Sequence, residues 1–219
     1  LVTGGSRGIG KAIARLLAEE DAQVALVARG IAALEATAAE ITAATGQAVF
    51  ATAADTGDTP SVDAMAQRVL DHFGRIDILV NCAARPGGAP ARPGIENFPD
   101  DTFTTEMNTK VLGYLRCARA AVPSMKANGW GRIINISGLA ARQTGNAIGS
   151  MRNVAVSALT KNRADELGPS GINVTCVHPG LTWTEGVEQL DRSQAETRGE
   201  ALDDARTRLA LQNAVRRVI

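Results

Sequence analysis

Neither sign of charge prevails in this chain: lysines plus arginines and aspartates plus glutamates both number 23 in 219 residues. A protein that neutralises a phosphate backbone carries a basic excess or stripe, so nucleic acid is set aside as a partner. No apolar run approaches the roughly 20 residues of a membrane span, and the first residues carry no basic-then-apolar leader. The sequence therefore predicts a soluble, cytoplasmic protein with no membrane partner. Cysteine is scarce too: Cys82, Cys117 and Cys176 are an odd number at wide, irregular spacing. That suits neither a disulfide framework nor a metal knuckle, so reduced structural thiols and no metal are expected. The chain opens on Leu1 with only a stub of strand before its first glycine, and stops on Ile219 without a capping signal. Trimming at both ends is expected.

What is present begins at once, with Thr3-Gly4-Gly5-Ser6-Arg7-Gly8-Ile9-Gly10, entered from Leu1-Val2 and followed by helix-patterned Ile9, Ile13, Leu16 and Leu17. Strand end, three spaced glycines, then an amphipathic helix is how backbone N–H groups hold a dinucleotide pyrophosphate at a helix N-terminus. Gly4 allows the tight turn, Gly8 a close backbone approach to phosphate, and Gly10 close packing of helix on sheet. With 45% hydrophobic residues, residues 1–219 are long enough for one well-buried domain and short for two.

Apolar strand-like runs recur at 24–28, 48–51, 76–80, 132–136 and 172–177, separated by helix-length amphipathic segments at 32–44, 62–73, 103–125 and 154–167 and, more faintly, 201–215. Continuous buried runs alternating with helices mean a parallel sheet covered on both faces. With the first stub, the expectation is a six-stranded, doubly wound α/β sheet of Rossmann type without internal repeats. Gly46, Gly74, Gly129 and Gly171 follow helical stretches, where a left-handed C-cap favours glycine. Residues 85–94 have loop composition and 182–197 read as irregular; both follow strands at the carboxyl edge, and either can form part of a substrate lid.

The glycine loop, Asn81-Cys82-Ala83-Ala84 after the fourth strand, Asn108 in the long helix and Pro179-Gly180 after the last strand together resemble the short-chain dehydrogenase/reductase family over the whole chain. The resemblance implies an NAD(P)(H) cofactor and hydride transfer at a carbonyl or alcohol carbon of a small-molecule substrate. It assigns Thr3, Gly4, Ser6, Arg7, Gly8, Ile9 and Gly10 to the pyrophosphate loop, Asp55 to the adenine, Asn81 to the sheet beside the cofactor with Ala83 in the altered remainder of that motif, and Pro179, Gly180 and Thr184 to the nicotinamide side. Asn108 matches the asparagine of the catalytic set. Cofactor choice is read from charge: the second strand ends Ala28-Arg29 with no carboxylate to accept from a ribose 2′-OH, while Arg7 and Arg29 can pair with a 2′-phosphate. NADP(H) is favoured over NAD(H).

The resemblance then breaks. Counting back from the gap-free match 155–161 through Pro179-Gly180, the family's tyrosine position is Gly149 and its lysine position Asn153, and the serine aligns with Gly138. Ser137 would need a one-residue shift, which turns a side chain to the other face of a strand. The one tyrosine, Tyr114, lies six residues beyond Asn108, about 240° around the helix, and reads as core or interface. Candidate substitutes are His178, which more often serves as a structural hydrogen-bonder, and Arg152 and Asn153, on the helix face of Gly149. Arg152 supplies charge but no proton at neutral pH. Two readings follow: an NADP(H)-binding oxidoreductase with an altered proton-transfer site, and a non-catalytic NADP(H) sensor or partner subunit of an active homologue. A third keeps activity for a substrate that carries its own acidic group. Leu112, Leu115, Val156 and Leu159, on the two helices that family members pair across subunits, predict a homodimer or homotetramer.

Overall fold

Runs of apolar residues that do not alternate with polar ones can be buried only if both faces of their sheet are covered. The chain, seen in a computed structural model that describes residues 1–84, 95–180, 182–198, 207 and 210, folds that way. In order it forms β1 (Val2–Thr3), α1 (Gly8–Glu19), β2 (Val24–Ala28), α2 (Ile31–Thr45), β3 (Val49–Ala53), α3 (Thr59–Phe73), β4 (Ile78–Asn81) and α4 (Asp100–Glu106). A π-helical segment (Met107–Leu112), α5 (Gly113–Ala127), β5 (Gly131–Ile136), α6 (Ala147–Leu167), β6 (Ile172–Val177) and α7 (Glu185–Arg198) complete it.

The six strands are parallel, in the order β3-β2-β1-β4-β5-β6. Strand order reverses between β1 and β4, the point at which such a sheet opens a crevice at its carboxyl ends. Successive residues of one strand serve opposite faces: Ala25 and Val27 of β2 pack with Val62, Met65, Cys117 and Met125, whereas Val24 and Leu26 pack with Ala14, Ala18, Leu34 and Ile41. The doubly wound expectation holds, α3 and α5 covering one face and α1 and α2 the other. Gly46 and Gly74 cap α2 and α3 with φ of +76° each, the left-handed conformation expected of them. Among the described residues no helix is long and apolar enough to cross a membrane, and no cluster of residues is arranged to hold a metal ion.

The departures from expectation have local causes. Helix α6 starts seven residues before the expected 154, because Asn146 caps it by accepting from Gly149 N–H at 2.8 Å. Strand β4 begins at Ile78 rather than 76, the Ile76 N–H being donated to Ser124 Oγ at 2.9 Å. The stretch 182–197, expected as irregular, is helical from Glu185, with Thr184 Oγ1 accepting from Val187 N–H at 3.3 Å and Glu188 pairing with Arg192 one turn on. Such i,i+4 pairs support a polar helix that lacks an apolar stripe. Of the four side chains expected at an oligomer face, Val156 is instead fully buried in the core. The lid expected at 85–94 lies outside the described residues, as does the helix expected at 201–215 apart from two of its positions.

Candidate active site

A cleft of about 950 Å³ opens at the carboxyl edge, lined by the glycine loop, the ends of β2 and β3, Cys82 to Ala84, Asn108 and Thr184. Its floor is built from constraints only glycine meets. Gly4 has φ +69° and a Cβ there would stand 3.0 Å from the Ala83 backbone, while a Cβ at Gly10 would meet the Gly4 carbonyl at 2.2 Å. Helix α1 begins at Gly8 without a side-chain cap and without an acidic residue in its first turn. Its leading N–H groups therefore face the cleft, which also takes in Ser6, Arg7 and Ile9. An uncapped helix N-terminus reached through small residues is an anion site, and it fits a dinucleotide pyrophosphate. One donor is engaged from a distance in sequence: Gly8 N–H donates to Glu185 Oε2 at 2.9 Å. Thr3 holds the loop rather than the ligand, its hydroxyl accepting from Cys82 N–H at 3.1 Å and Ala83 N–H at 3.2 Å.

At the end of the cleft beside β2 and β3, Asp55 Oδ1 accepts from Gly57 N–H at 2.8 Å, leaving the carboxylate exposed at the cleft wall. Arg7 and Arg29 are exposed there as well, beside Ala28 and Gly30, and neither forms an ion pair with a carboxylate among the described residues. Thr184, at the start of α7, reaches within 3.3 Å of where a Gly8 Cβ would be. Pro179 and Gly180 make the turn after β6 and do not line the cleft. Beneath it, Asn81 Nδ2 donates to Asn135 Oδ1 at 2.9 Å, and Asn135 Nδ2 to Thr160 Oγ1 at 2.9 Å, a buried polar row that ties β4, β5 and α6 together.

The end of β5 differs from the expected arrangement. Asn108 does not reach it: its amide donates to Gly57 O at 3.0 Å and accepts from Arg116 Nη2 at 2.8 Å, on the Asp55 side. Ser137 turns its hydroxyl to the Asn153 carbonyl at 3.1 Å, inside the fold rather than into the cleft. Arg152 is buried against Glu106 in an ion pair between α6 and α4, its Nε without a partner, and burial lowers its pKa. It is committed to holding the helices together. His178 has both ring nitrogens engaged, Nδ1 with Gly138 O at 3.2 Å and Nε2 with Cys176 Sγ at 3.6 Å. Tyr114 is core, its hydroxyl donating to Ile136 O at 2.9 Å.

The two glycines expected in place of the family's tyrosine and serine are crowded by neighbours. A Cβ on Gly149 would stand 2.9 Å from the Asn146 amide, and one on Gly138 would stand 3.0 Å from Asn153 Nδ2. Asn153 is itself buried, and its Oδ1 accepts at 2.9 Å from Lys110 Nζ, which also donates to the Ser137 carbonyl at 3.0 Å. Burial pulls the Lys110 ammonium down to about 8, with Cys82 and Cys176 acting weakly the other way; burial pushes the Cys82 thiol up to about 11. Lys110 was not among the expected residues. Its signal is legible in hindsight, since it lies in phase with Tyr114, Cys117, Ala121 and Met125 on the buried stripe of the long helix, where a lysine needs a reason.

Residues 1–195 match the family model described as short chain dehydrogenase. The chain is 35% identical over its full length to the short-chain reductase protein NovJ of Streptomyces niveus, covering 80% of that protein. Its fold matches the crystal structure of L-sorbose reductase from Gluconobacter frateurii in complex with NADPH and L-sorbose, with a TM-score of 0.91 and 30% identity over 99% of this chain and 82% of that one. An NAD+-bound xylitol dehydrogenase matches with a TM-score of 0.87 and 27% identity, over 99% of this chain and 85% of that one. With the sheet order, the glycine cradle and these likenesses in agreement, the chain belongs to the short-chain dehydrogenase/reductase family of oxidoreductases.

Proposed function

We propose that this chain binds NADP(H) in the cleft and acts on a small carbonyl or alcohol substrate through a proton-transfer site that lacks the family's serine, tyrosine and lysine. Arg7 and Arg29 carry the cofactor reading: two exposed guanidiniums flank the end of β2 where a 2′-phosphate would lie, and Ala28 offers no carboxylate to a free 2′-OH. The relatives use either cofactor, NADPH in L-sorbose reductase and NAD+ in xylitol dehydrogenase, so local charge decides. A bound nicotinamide supplies a hydride to a carbonyl carbon, or takes one from an alcohol carbon. The glycine-loop N–H groups hold the pyrophosphate, Asp55 meets the adenine, and Thr184 closes over the nicotinamide side.

The proton that must reach the reduced oxygen has no phenol at Gly149 to come from, and the Cys82 thiol, at about 11, is a poor acid at neutral pH. A positioned acid or base is worth about 10²–10⁴ in rate, so turnover of simple ketones and aldehydes is expected to be slow. The Asn146 amide filling the space beside Gly149 favours a second reading, a cofactor-binding sensor or a partner of an active homologue. Fluorescence titration with NADPH and NADH tests the shared part: NADPH is expected to bind at least tenfold tighter, and Ala28→Asp with Arg29→Ala to reverse the order. Equal or tighter NADH binding refutes it. Turnover of a ketone and aldehyde panel separates the readings, a complete absence favouring the sensor.

A further inference from the structure

Two residues apart face about 200° away from each other at the 3.6 residues per turn of an α-helix, and on the wider turn of a π-helix they still point nearly opposite ways. The π-helical segment Met107–Leu112 therefore presents one of Asn108 and Lys110 to the end of β5, and it presents Lys110. Single π turns of this kind recur at functional sites. On the family pattern the long helix brings an amide to this place and α6 brings an ammonium from position 153. Here the same two groups meet with their helices exchanged: the ammonium comes from Lys110 and the amide from Asn153, 2.9 Å apart. We propose that Lys110 is the relocated cation of the proton-transfer site, a positioning residue that fixes the Asn153 amide and sets a positive charge at the carboxyl end of β5.

The geometry makes the pair interdependent. A buried ammonium must find acceptors, and Lys110 has two, the Ser137 carbonyl and Asn153 Oδ1. Because an ammonium only donates, it forces the amide of Asn153 to offer its oxygen inward and leaves Nδ2 on the other side. That side is Gly138, whose missing Cβ would stand 3.0 Å from Nδ2. Gly138 has an extended backbone, φ 171°, which any residue adopts, so the Asn153 amide rather than the backbone favours glycine there. A lysine at 153 would bring two ammoniums together in the same buried space. Among the described residues, the other ionisable groups facing Lys110 are the Cys82 and Cys176 thiols and the Tyr114 phenol, whose ring centroid lies 5.9 Å from Nζ.

The inference rests on the oxidoreductase reading for its chemistry, so the test also reads binding and protonation. Four chains are compared: wild type, Lys110→Met, Asn153→Lys, and the exchange Lys110→Asn with Asn153→Lys. Each is followed by NADPH titration, thermal melting, pH–rate profile and NMR of the lysine Cε and asparagine side-chain amides. The Asn153 amide signal should move with the Lys110 titration near pH 8 in wild type and lose that dependence in Lys110→Met. Both single variants should bind NADPH roughly tenfold more weakly and turn over at least tenfold more slowly. The exchange should recover most of both losses, with a pH–rate profile displaced from that of wild type. An exchange chain that melts like wild type yet binds and turns over as poorly as Asn153→Lys overturns the proposal, leaving the pair purely structural. If wild type reduces nothing in the panel, the oxidoreductase reading fails by itself; unchanged NADPH affinity in Lys110→Met then overturns the Lys110 proposal, and a tenfold loss sustains it.

Discussion

Burying Lys110 at the end of β5 carries an electrostatic cost, and that cost has a pH signature. Burial holds its ammonium at about 8, against an ordinary value of about 10.4 in an unfolded chain. Below pH 8 both states are protonated and the desolvation penalty is present in full. Between the two values the unfolded chain keeps a proton that the folded chain has shed, so this contribution to stability rises with pH. Urea denaturation of wild type and Lys110→Met at pH 8 and 9 should show the difference moving about 1 kcal/mol in favour of wild type. Cys82 and Cys117, pushed up to about 11 and about 12, act in the opposite sense above pH 9, and subtracting the variant removes them. A related outcome concerns repair of the site. Gly138→Ser, Gly149→Tyr and Asn153→Lys together leave Lys110 beside a second ammonium, so this triple variant should gain little turnover. Adding Lys110→Asn should raise its rate at least tenfold, within the range a positioned acid supplies.

Among the elements, α7 reaches the cleft from far along the chain. Its first residue, Glu185, places a carboxylate on the Gly8 N–H at 2.9 Å, giving α1 the acidic first-turn group that its own sequence lacks. The same N–H lines the proposed anion cradle, so the carboxylate would compete with a pyrophosphate held there. Charge at a helix N-terminus is worth about 0.3–1 kcal/mol when exposed and up to ~2 when partly buried. Glu185→Gln should thus tighten NADPH binding about 3- to 10-fold in titration while lowering the melting temperature of the protein without cofactor; weaker binding in the variant would show that Glu185 supports the cradle rather than competing with it. The long helix makes a comparable point. Its extent was legible from periodicity, since 100–127 runs without a break, whereas the π turn within it was not. That turn packs against α6, and Lys110 is the side chain it sends to the end of β5.

At the scale of the whole molecule, exposed apolar side chains on two neighbouring elements matter most. Leu112, Met151 and Val154 are 45%, 42% and 50% exposed on the π segment and α6, two elements that pack side by side. Neighbouring apolar exposure of this kind is what an interface would cover, and we expect a homodimer or homotetramer built on it. Sedimentation at micromolar concentration should find no monomer in wild type and mostly monomer in Leu112→Glu with Val154→Glu. A monomeric wild type would count against it. Val156, expected at this face because family members pair its helix across subunits, faces the core instead.

The sequence by itself determined the parallel sheet, the glycine cradle and the edge of the sheet at which the cleft opens. Those follow from contiguous residues: continuous apolar runs, glycines placed where a Cβ would strike backbone, and arginines at a strand end. Tertiary structure decided the rest. Lys110 meets Asn153 across 43 residues, and Gly8 meets Glu185 across 177. Local propensity carries no information about which distant side chain will satisfy a buried ammonium or an uncapped helix, because that choice belongs to the packing that brings the partners within hydrogen-bond reach.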